Sequence, residues 1–263
     1  MDKAIEKEFG RGDATLRTRT LLADVIVAQM LPDAVVKGGS SLKIRYGNQT
    51  TRFTRDLDTA RKSDLEEFIV KLEDSLIAGW NGFTGRLAVK PPATPEGVPA
   101  PYVMQPFEVK LSYNGKPWST VRLEVGHNEI GDADIADYFI SAEIVDMFAR
   151  IGLPAPAPIA LMRIHHQIAQ KIHGLTEPGS KRAHDLIDLQ IIMQQEDVEL
   201  CLVRETCERL FAYRKVQTWP PAISKNKDWD SYYSEQQPPE SVLQTVDEAI
   251  VWGNVLIDSI AKA

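Results

Sequence analysis

Apolar residues recur along this chain with two different spacings, and each spacing predicts a different element. In residues 13–30 and again in residues 65–77 they fall three or four positions apart, the period of a helix with one buried face. From Trp118 to Val125 apolar and polar residues alternate, as in a strand with one buried face. The Asn114-Gly115 pair predicts a hairpin that joins this strand to another at residues 103–113. The first half of the chain therefore mixes helices with strands.

The pattern becomes helical from about residue 134 onward. Four further helices are predicted there, over residues 138–151, 159–175, 198–213 and 242–261, and a turn at Glu177 to Lys181 predicts a fifth that carries Arg182, Asp185 and Asp188 on the other arm of a helix hairpin. Pro154, Pro156 and Pro158 predict an extended connector after the first of them. We therefore expect an α+β protein with two lobes. Residues 1–153 form an N-terminal α/β lobe with a small mixed or antiparallel sheet, and residues 154–263 form a C-terminal all-α lobe.

A second group of prolines follows a strand predicted at residues 83–89. An extended surface loop is expected there, because proline favours extended backbone and cannot donate to a sheet. The prolines of this group are Pro91, Pro92, Pro95, Pro99 and Pro101.

Composition and charge narrow the class of protein. The 263 residues are 43% hydrophobic and 25% charged, which is typical of a folded globular chain. The first residues are charged, and no apolar run is long enough for a signal segment or a membrane span, so we expect a cytoplasmic protein with no membrane partner. The net charge of −7 argues against a generally basic nucleic-acid binder and leaves room only for a local basic patch.

Candidate chemistry begins where a short apolar run, Ala34 to Val36, is followed by Gly38, Gly39, Ser40 and Ser41. Glycines after a strand let the backbone approach a phosphate closely, because they have no Cβ atom. The serines stand at what is predicted to be a helix N-terminus, where free N–H groups and the helix dipole favour an anion. This order of residues predicts a nucleotide site, although the same four residues also make an ordinary turn.

Two aspartates follow this bend. Asp56 and Asp58 flank Leu57, so on a strand both carboxylates project from one face while Leu57 enters the core. Paired carboxylates can hold Mg²⁺, which takes oxygen ligands and is usually shared with substrate phosphates. The alternative is a pair of solvated aspartates at an exposed strand end. Glu124 is predicted on the same face of its strand as Arg122, and the alternative for it is an ion pair with Arg122 or Lys110.

These residues resemble a known family. One stretch is similar to the first motif of the AbiEii/MenT nucleotidyltransferase toxins, which belong to the polymerase-β-like nucleotidyltransferase superfamily. This stretch comprises Gly38 to Leu42, then Arg52, Thr54 and Arg55, and then Asp56-Leu57-Asp58. A second block, Gln167 to His173 followed by Arg182 to Leu189, resembles the family's lysine motif and its Arg-x-x-Asp-x-x-Asp-Leu motif. The resemblance covers about residues 20–195. His184 departs from it, since relatives often carry a charged residue there.

The resemblance implies a polymerase-β-like fold for the N-terminal lobe and a toxin from a toxin–antitoxin or phage-defence system. Such a toxin uses Mg²⁺, or alternatively Mn²⁺, to transfer a nucleoside monophosphate from an NTP to the 3′ end of tRNA, which blocks aminoacylation and translation. A cognate antitoxin encoded nearby is the implied partner.

The resemblance also implies a role for each matched residue. Asp56, Asp58 and Glu124 would hold the metal, and the nucleotide would be bound by Gly38, Gly39, Ser40, Ser41, Arg52 and Lys171. Lys171 would neutralise the charge on the leaving pyrophosphate, and Asp185 would hold the lysine in place. Arg182 and Asp188 would support this pair. Without the family context, a lysine opposite two aspartates is a structural ion-pair cluster.

Two other functions fit the same sequence. The first is nucleotidylation of a protein or of a small molecule such as an antibiotic. The second, from another class, is a catalytically silent regulator that binds a nucleotide or a partner protein. The presence of Asp56, Asp58 and Lys171 together argues against a silent protein.

Overall fold

The fold is described from a computed structural model that covers residues 1–92 and 103–263. Pro95, Pro99 and Pro101 of the predicted proline loop lie outside these described residues. The chain forms two compact units. Unit 1 contains Met1–Asn48 and Phe53–Met162, and unit 2 contains Gln49–Arg52 and Arg163–Ala263. The division predicted after residue 153 precedes the last strand of unit 1.

Unit 1 is built on a mixed sheet. Its strands are β1 (Ala34–Lys37), β2 (Asp56–Arg61), β3 (Phe83–Val89), β4 (Gln105–Tyr113), β5 (Lys116–Gly126), β6 (Ala136–Phe139) and β7 (Ile159–Met162). Within the described residues they form one seven-stranded sheet in the order β3-β4-β5-β2-β1-β7-β6. β2 runs parallel to β5 and β1 parallel to β7, while the other neighbours are antiparallel. This mixed sheet confirms the predicted α+β class.

Helices cover the sheet and supply about half of the buried apolar cluster of unit 1. They are α1 (Asp2–Phe9), α2 (Asp13–Ala28), α3 (Gly38–Tyr46), α4 (Leu65–Ala78) and α5 (Ala142–Arg150). Leu22, Val25 and Ile26 of α2 and Leu72 of α4 are fully buried in one apolar cluster with Leu123 of the central strand β5. Burial of each such side chain contributes about 1.5 to 3 kcal/mol. The helices thereby hold β2 and β5, which carry the predicted carboxylates, in a rigid frame.

Every regular element of unit 2 in the described residues is a helix. It contains α6 (Ile164–Thr176), α7 (His184–Gln195), α8 (Leu200–Arg214), α9 (Trp229–Ser234) and α10 (Val246–Lys262). Close packing of α10 on α7 depends on Gly253, since a Cβ atom there would lie 2.6 Å from Cδ1 of Ile223 and 3.0 Å from Cδ2 of Leu186. None of the helices in residues 1–92 and 103–263 combines the length and the hydropathy that a membrane crossing requires.

Two of the predicted helices are wrong at their N-terminal ends. Residues 136–139 form β6 before α5 begins, and residues 159–162 form β7 before α6 begins. A short apolar run such as Ile159 to Met162 fits a buried strand as well as a helical turn. Pairing decides between them, because Leu161 lies beside Val36 in a parallel ladder that no local pattern reveals.

Candidate functional site

The carboxylates of β2 lie on one face of the sheet, as the alternation predicted. Leu57 is fully buried, whereas Asp56 and Asp58 on either side of it are only half-buried. On one side Asp58 is paired with Lys37 of β1, and on the other it is paired with Glu124 of β5. Residues paired across a ladder project to the same side of the sheet. Two acidic side chains of β2 and one of β5 therefore share a face.

Arg122 stands beside Asp56 on that face. The two residues are paired in the parallel β2–β5 ladder, and Nη1 of Arg122 lies 3.9 Å from Oδ1 of Asp56. The predicted face of β5 is confirmed, since Val121, Leu123 and Val125 are buried while Arg122 and Glu124 are accessible. Glu124 has Arg122 and Asp58 as neighbours, which fits both its predicted metal role and the alternative of pairing with Arg122. The alternative of pairing with Lys110 is wrong, because Lys110 is opposite Thr120 whereas Glu124 is opposite Pro106.

The diglycine bend lies directly against Asp58. β1 ends at Lys37 and α3 begins at Gly38, whose φ of 63° is in the left-handed region. A Cβ atom at Gly38 would lie 2.3 Å from Oδ2 of Asp58, so only glycine fits there. The N-terminal N–H groups of α3 consequently open next to a carboxylate of β2.

The serines of the bend contribute to the structure of the site. Ser40 Oγ donates a hydrogen bond of 2.7 Å to the backbone oxygen of Asp56, and Ser41 is fully buried beside it. Such a bond contributes about 1 kcal/mol and fixes the start of β2 against the start of α3. Gly38, Ser40, Asp56 and Asp58 are thus brought together, as the motif predicted.

The donor set of this site fits Mg²⁺. Among residues 1–92 and 103–263, no group of three or more His, Cys, Asp or Glu side chains converges closely enough to enclose a metal ion. Mg²⁺ does not need such an enclosure, because it commonly takes one or two carboxylates and completes its shell with water and substrate phosphates. Asp56 and Asp58 next to the N-terminus of α3 match that mode of binding.

Two buried charged residues near the carboxylates were not predicted. Asp24 of α2 is 2% exposed, and its burial together with the charges of Asp56 and Asp58 raises its pKa well above the usual range. The positive charge of Lys43, itself buried in α3, opposes that rise. A signal for Asp24 was present in the sequence, since it is the one charged residue in the apolar run Leu21 to Val27. For Lys43 the sequence contained no comparable signal, apart from its position five residues after Gly38.

A cleft opens on the β4–β5 side of the carboxylates. Its volume is about 370 Å³. Its polar lining comprises Asp56 of β2, Glu124 and Arg122 of β5, Glu108 of β4, and Lys90 just after β3. We call it the β4–β5 cleft. The cleft thus connects the face of the sheet that carries Asp56 and Glu124 with the cationic side chains of Arg122 and Lys90.

The second predicted block and Arg52 form an ion-pair cluster in unit 2, made of Arg52, Lys171, Arg182, Asp185 and Asp188, in which Arg182 is exposed and the other four are largely buried. Lys171 Nζ of α6 donates to Asp185 Oδ1 at 2.9 Å and to Asp188 Oδ2 at 2.6 Å on α7. Lys171 is 3% exposed, and both aspartates are almost fully buried. The three-residue spacing of the aspartates places them on one face of α7, as predicted.

Each aspartate of the cluster has a second cationic partner. Arg52 holds Asp188 with two parallel bonds, Nε to Oδ1 at 2.9 Å and Nη2 to Oδ2 at 3.0 Å. Arg182 Nε donates to Asp185 Oδ2 at 2.6 Å. Arg52, predicted to bind the nucleotide, is thus engaged by Asp188 within unit 2. Its nucleotide role stays a prediction.

The cluster keeps its carboxylates ionised. Burial by itself would raise the pKa of Asp188, but Arg52 and Lys171 lower it to about 2. Burial opposes ionisation of Asp185 in the same way, and Arg182 and Lys171 outweigh it, so this pKa falls far below its usual range. Unpaired buried charges are costly, so every member of the cluster depends on the others.

Comparison with known proteins settles the family. The model of the family described as nucleotidyl transferase AbiEii toxin, type IV toxin–antitoxin system, matches residues 20–249. The chain belongs to this family. Its activity is therefore nucleotidyl transfer, with an NTP as substrate. The family consists of toxins from toxin–antitoxin systems, in which each toxin has an antitoxin partner. No curated protein matches the chain.

Solved structures share the fold of this AbiEii family member. MenT4, a nucleotidyltransferase toxin of Mycobacterium tuberculosis, is 16% identical with a TM-score of 0.58, over 100% of this chain and 90% of that one. A nucleotidyltransferase candidate from Helicobacter pylori is 14% identical with a TM-score of 0.52, over 96% of each chain. The family and the activity expected from the motifs are confirmed.

Proposed function

We propose that this toxin is a Mg²⁺-dependent enzyme that transfers a nucleoside monophosphate from an NTP to the 3′-terminal hydroxyl of tRNA. The observation that carries the proposal is the position of Asp58, in contact with the diglycine bend on one side and paired with Glu124 on the other. The α-phosphate of an NTP bound over the bend and the hydroxyl of an acceptor near Glu124 would then both lie next to the carboxylates of Asp58 and Glu124.

Asp56 and Asp58 would hold the metal, and Mn²⁺ is the alternative to Mg²⁺ because it accepts the same oxygen ligands. When bound, the ion would supply charge compensation for the phosphates and lower the pKa of the acceptor hydroxyl. Glu124 is proposed as a third ligand on the acceptor side. Its pairing with Asp58 in the ladder supports this role, and the three carboxylates would have to move closer together to enclose one ion.

The bend would bind the triphosphate. The N–H groups at the start of α3 would contact the phosphate oxygens, and Gly38 and Gly39 have no side chain to keep the backbone away from them. Ser40, whose hydroxyl donates to the backbone oxygen of Asp56, and the buried Ser41 would hold the bend in position for the nucleotide. In the transfer itself, the acceptor oxygen forms a new bond to the α-phosphorus, and the bond from that phosphorus to the α,β-bridging oxygen breaks. Pyrophosphate leaves with the electron pair, and the hydroxyl proton passes to solvent. Such a step requires positioning more than covalent participation by the protein.

The toxin role defines the consequence and the partner. A nucleotide added to the tRNA 3′ end would occupy the hydroxyl that receives the amino acid, and translation would stop. The family implies an antitoxin, and we propose that it is encoded nearby. The action on tRNA and the metal requirement rest on the resemblance of the motifs together with the carboxylate geometry.

The test is a labelling experiment with the full chain. The protein is incubated with Mg²⁺, each labelled NTP in turn, and tRNA, a protein mixture or no acceptor, with Asp58→Asn as the inactive control. Label at the 3′ end of tRNA that Asp58→Asn does not produce is the expected result. Label in protein alone would refute tRNA as the acceptor, and the absence of label with every acceptor would refute the proposed reaction.

A further inference from the structure

The β4–β5 cleft lies on the side of the carboxylates away from the diglycine bend. In the sheet order β4-β5-β2-β1, the bend follows β1, the carboxylates are on β2, and the cleft is lined by β4 and β5. In phosphoryl transfer the attacking and leaving oxygens lie on opposite sides of the phosphorus. If the pyrophosphate leaves over the bend, the acceptor hydroxyl must arrive from the cleft.

The size of the cleft limits what can enter. A volume of about 370 Å³ lies at the lower end of the range of small-molecule sites, roughly 300 to 1,000 Å³. A single nucleotide is a ligand of that class, whereas a base-paired helix is not. The cleft therefore suits the end of a nucleic-acid strand rather than its middle.

The two cations of the cleft are accessible to a ligand. The side chain of Arg122 is 67% exposed although it lies 3.9 Å from Asp56, and that of Lys90 is 44% exposed while its Nζ is 3.0 Å from Oε1 of Glu108. The backbone of Lys90 is fixed, since its N–H donates to the oxygen of Pro106 at 3.0 Å and its own oxygen accepts from Gln105 at 2.7 Å. Each cation is thus ion-paired within the cleft and keeps further N–H donors for a ligand.

The acids of the cleft do not oppose a phosphate once the catalytic site is loaded. Glu108 is already paired with Lys90. Asp56 and Glu124 are the proposed metal ligands, and a divalent cation there would neutralise them. Lys90 and Glu108 cancel each other, so Arg122 would be the net positive charge of the cleft and Lys90 would add N–H donors beside it, an arrangement that favours a phosphodiester. A serine, threonine or tyrosine side chain of a protein acceptor carries no such negative charge beside its hydroxyl.

We propose that the β4–β5 cleft binds the 3′-terminal nucleotide of an RNA acceptor, with Arg122 and Lys90 contacting its last phosphodiester. This inference rests on the proposed function and adds the residues that select a nucleic-acid acceptor over a protein. Arg122 has the more direct role, because its contact with Asp56 ties the acceptor phosphate to the reacting centre. Lys90 would secure the same phosphate from the other side of the cleft.

The test compares Arg122→Gln and Lys90→Gln with Lys110→Gln. Lys110 is an exposed cation of β4, outside the lining of the cleft, so its variant matches the loss of charge. Binding is measured by fluorescence anisotropy in Mg²⁺ without NTP, with a labelled single-stranded RNA that ends in CCA and lacks the terminal 3′-hydroxyl. Transfer to the same RNA with its 3′-hydroxyl gives KM for the acceptor and for the NTP.

We expect each cleft variant to weaken RNA binding and raise the acceptor KM about tenfold, the effect of one hydrogen bond to a charged group. The salt dependence of binding should fall by about one ion per variant, as for any lost phosphate contact. The NTP KM and the thermal midpoint should match those of Lys110→Gln.

The inference and the proposed function fail in different ways. If wild-type protein labels RNA but both cleft variants bind RNA as Lys110→Gln does, the cleft is not the acceptor site and the transferase proposal stands. If wild type labels only protein, the RNA assignment of the cleft is overturned. If wild type labels no acceptor at all, the proposed reaction fails, and the inference fails with it.

Discussion

The carboxylate of Asp58 fills the space in which any residue other than glycine at position 38 would place its side chain. A Cβ atom at Gly38 would lie 2.3 Å from Oδ2 and 3.2 Å from Cγ of Asp58. The bend and the carboxylate therefore constrain each other. A change at Gly38 must move either the start of α3 or the proposed metal ligand.

Gly38→Ala is expected to reduce transfer by about a hundredfold, because a displacement of about 1 Å at a reacting centre has an effect of that size. The left-handed φ of 63° adds a stability cost of about 1 to 2 kcal/mol. The matched control is Gly152→Ala. Gly152 has a φ of 75° but no atom within 4 Å of an added Cβ, so this variant should lose stability and retain transfer. Equal transfer by both variants would contradict the link between Gly38 and Asp58.

Asp56→Asn and Asp58→Asn should each lower transfer by about a thousandfold, since a catalytic metal contributes several kcal/mol to transition-state stabilisation. Both side chains are only half-buried, so we expect the thermal midpoint to change little. Mn²⁺ binding, followed by electron paramagnetic resonance, should weaken in both variants. Asp74→Asn on the exposed face of α4 is the control. Wild-type Mn²⁺ affinity in Asp58→Asn would show that the metal lies elsewhere.

Local patterns in the sequence predicted correctly those features of the structure that depend on a single strand or turn. The alternation Asp56-Leu57-Asp58 predicted a strand with both carboxylates on one face, and that face is observed. Asn114-Gly115 predicted the β4–β5 hairpin, and both residues have the positive φ values, 47° and 74°, that such a turn requires. These features depend on neighbours within a few residues.

Features that depend on distant pairing could not be predicted in this way. The parallel ladder that places Glu124 beside Asp58 joins residues more than sixty positions apart, and no periodicity in either strand specifies it. The burial of Asp24 beneath the carboxylates likewise follows from the packing of α2. The apolar run Ile159 to Met162 is compatible with a strand or with a helical turn, and it forms the strand β7 because it pairs with β1.

Lys171→Met should destabilise the protein by about 3 to 5 kcal/mol, because it leaves two buried carboxylates with less compensation. Chemical denaturation measures the loss, and Lys181→Met, at an exposed position, should be close to wild type. Removing one of the carboxylates as well, in Lys171→Met with Asp185→Asn, should restore part of the stability. A Lys171→Met protein as stable as wild type would show that the cluster is not an energetic unit.

The same double variant tests the catalytic roles predicted for Lys171 and Asp185 together. If this pair acts on the leaving pyrophosphate, the double variant regains stability but not transfer. If the cluster is structural only, transfer returns in proportion to the folded fraction. Measuring both quantities on one preparation separates these outcomes.

His184 should make stability fall between neutral and mildly acidic pH. Burial lowers its pKa from 6.5 to about 4, although Asp185 opposes that change. The unfolded chain therefore binds a proton that the folded protein does not bind between these two values, so stability is lost as the pH falls through this window. At about 1.4 kcal/mol for each pKa unit, the loss is about 2 to 3 kcal/mol. The ion pairs of Asp185 and Asp188 add little to this loss above about pH 5, because their contribution begins to fall only as the pH approaches the unfolded carboxyl pKa of 3.8.

Chemical denaturation at a series of pH values from about 7 to about 4.5 measures this dependence. The comparison is with His184→Gln, which keeps a polar side chain of similar size but cannot titrate. The other histidines are present in both proteins, so the difference between the two curves isolates His184. Its side chain is 28% exposed, and glutamine should therefore be accommodated without unfolding. Parallel curves for the two proteins would show that His184 has an ordinary pKa in the folded state and would refute the prediction.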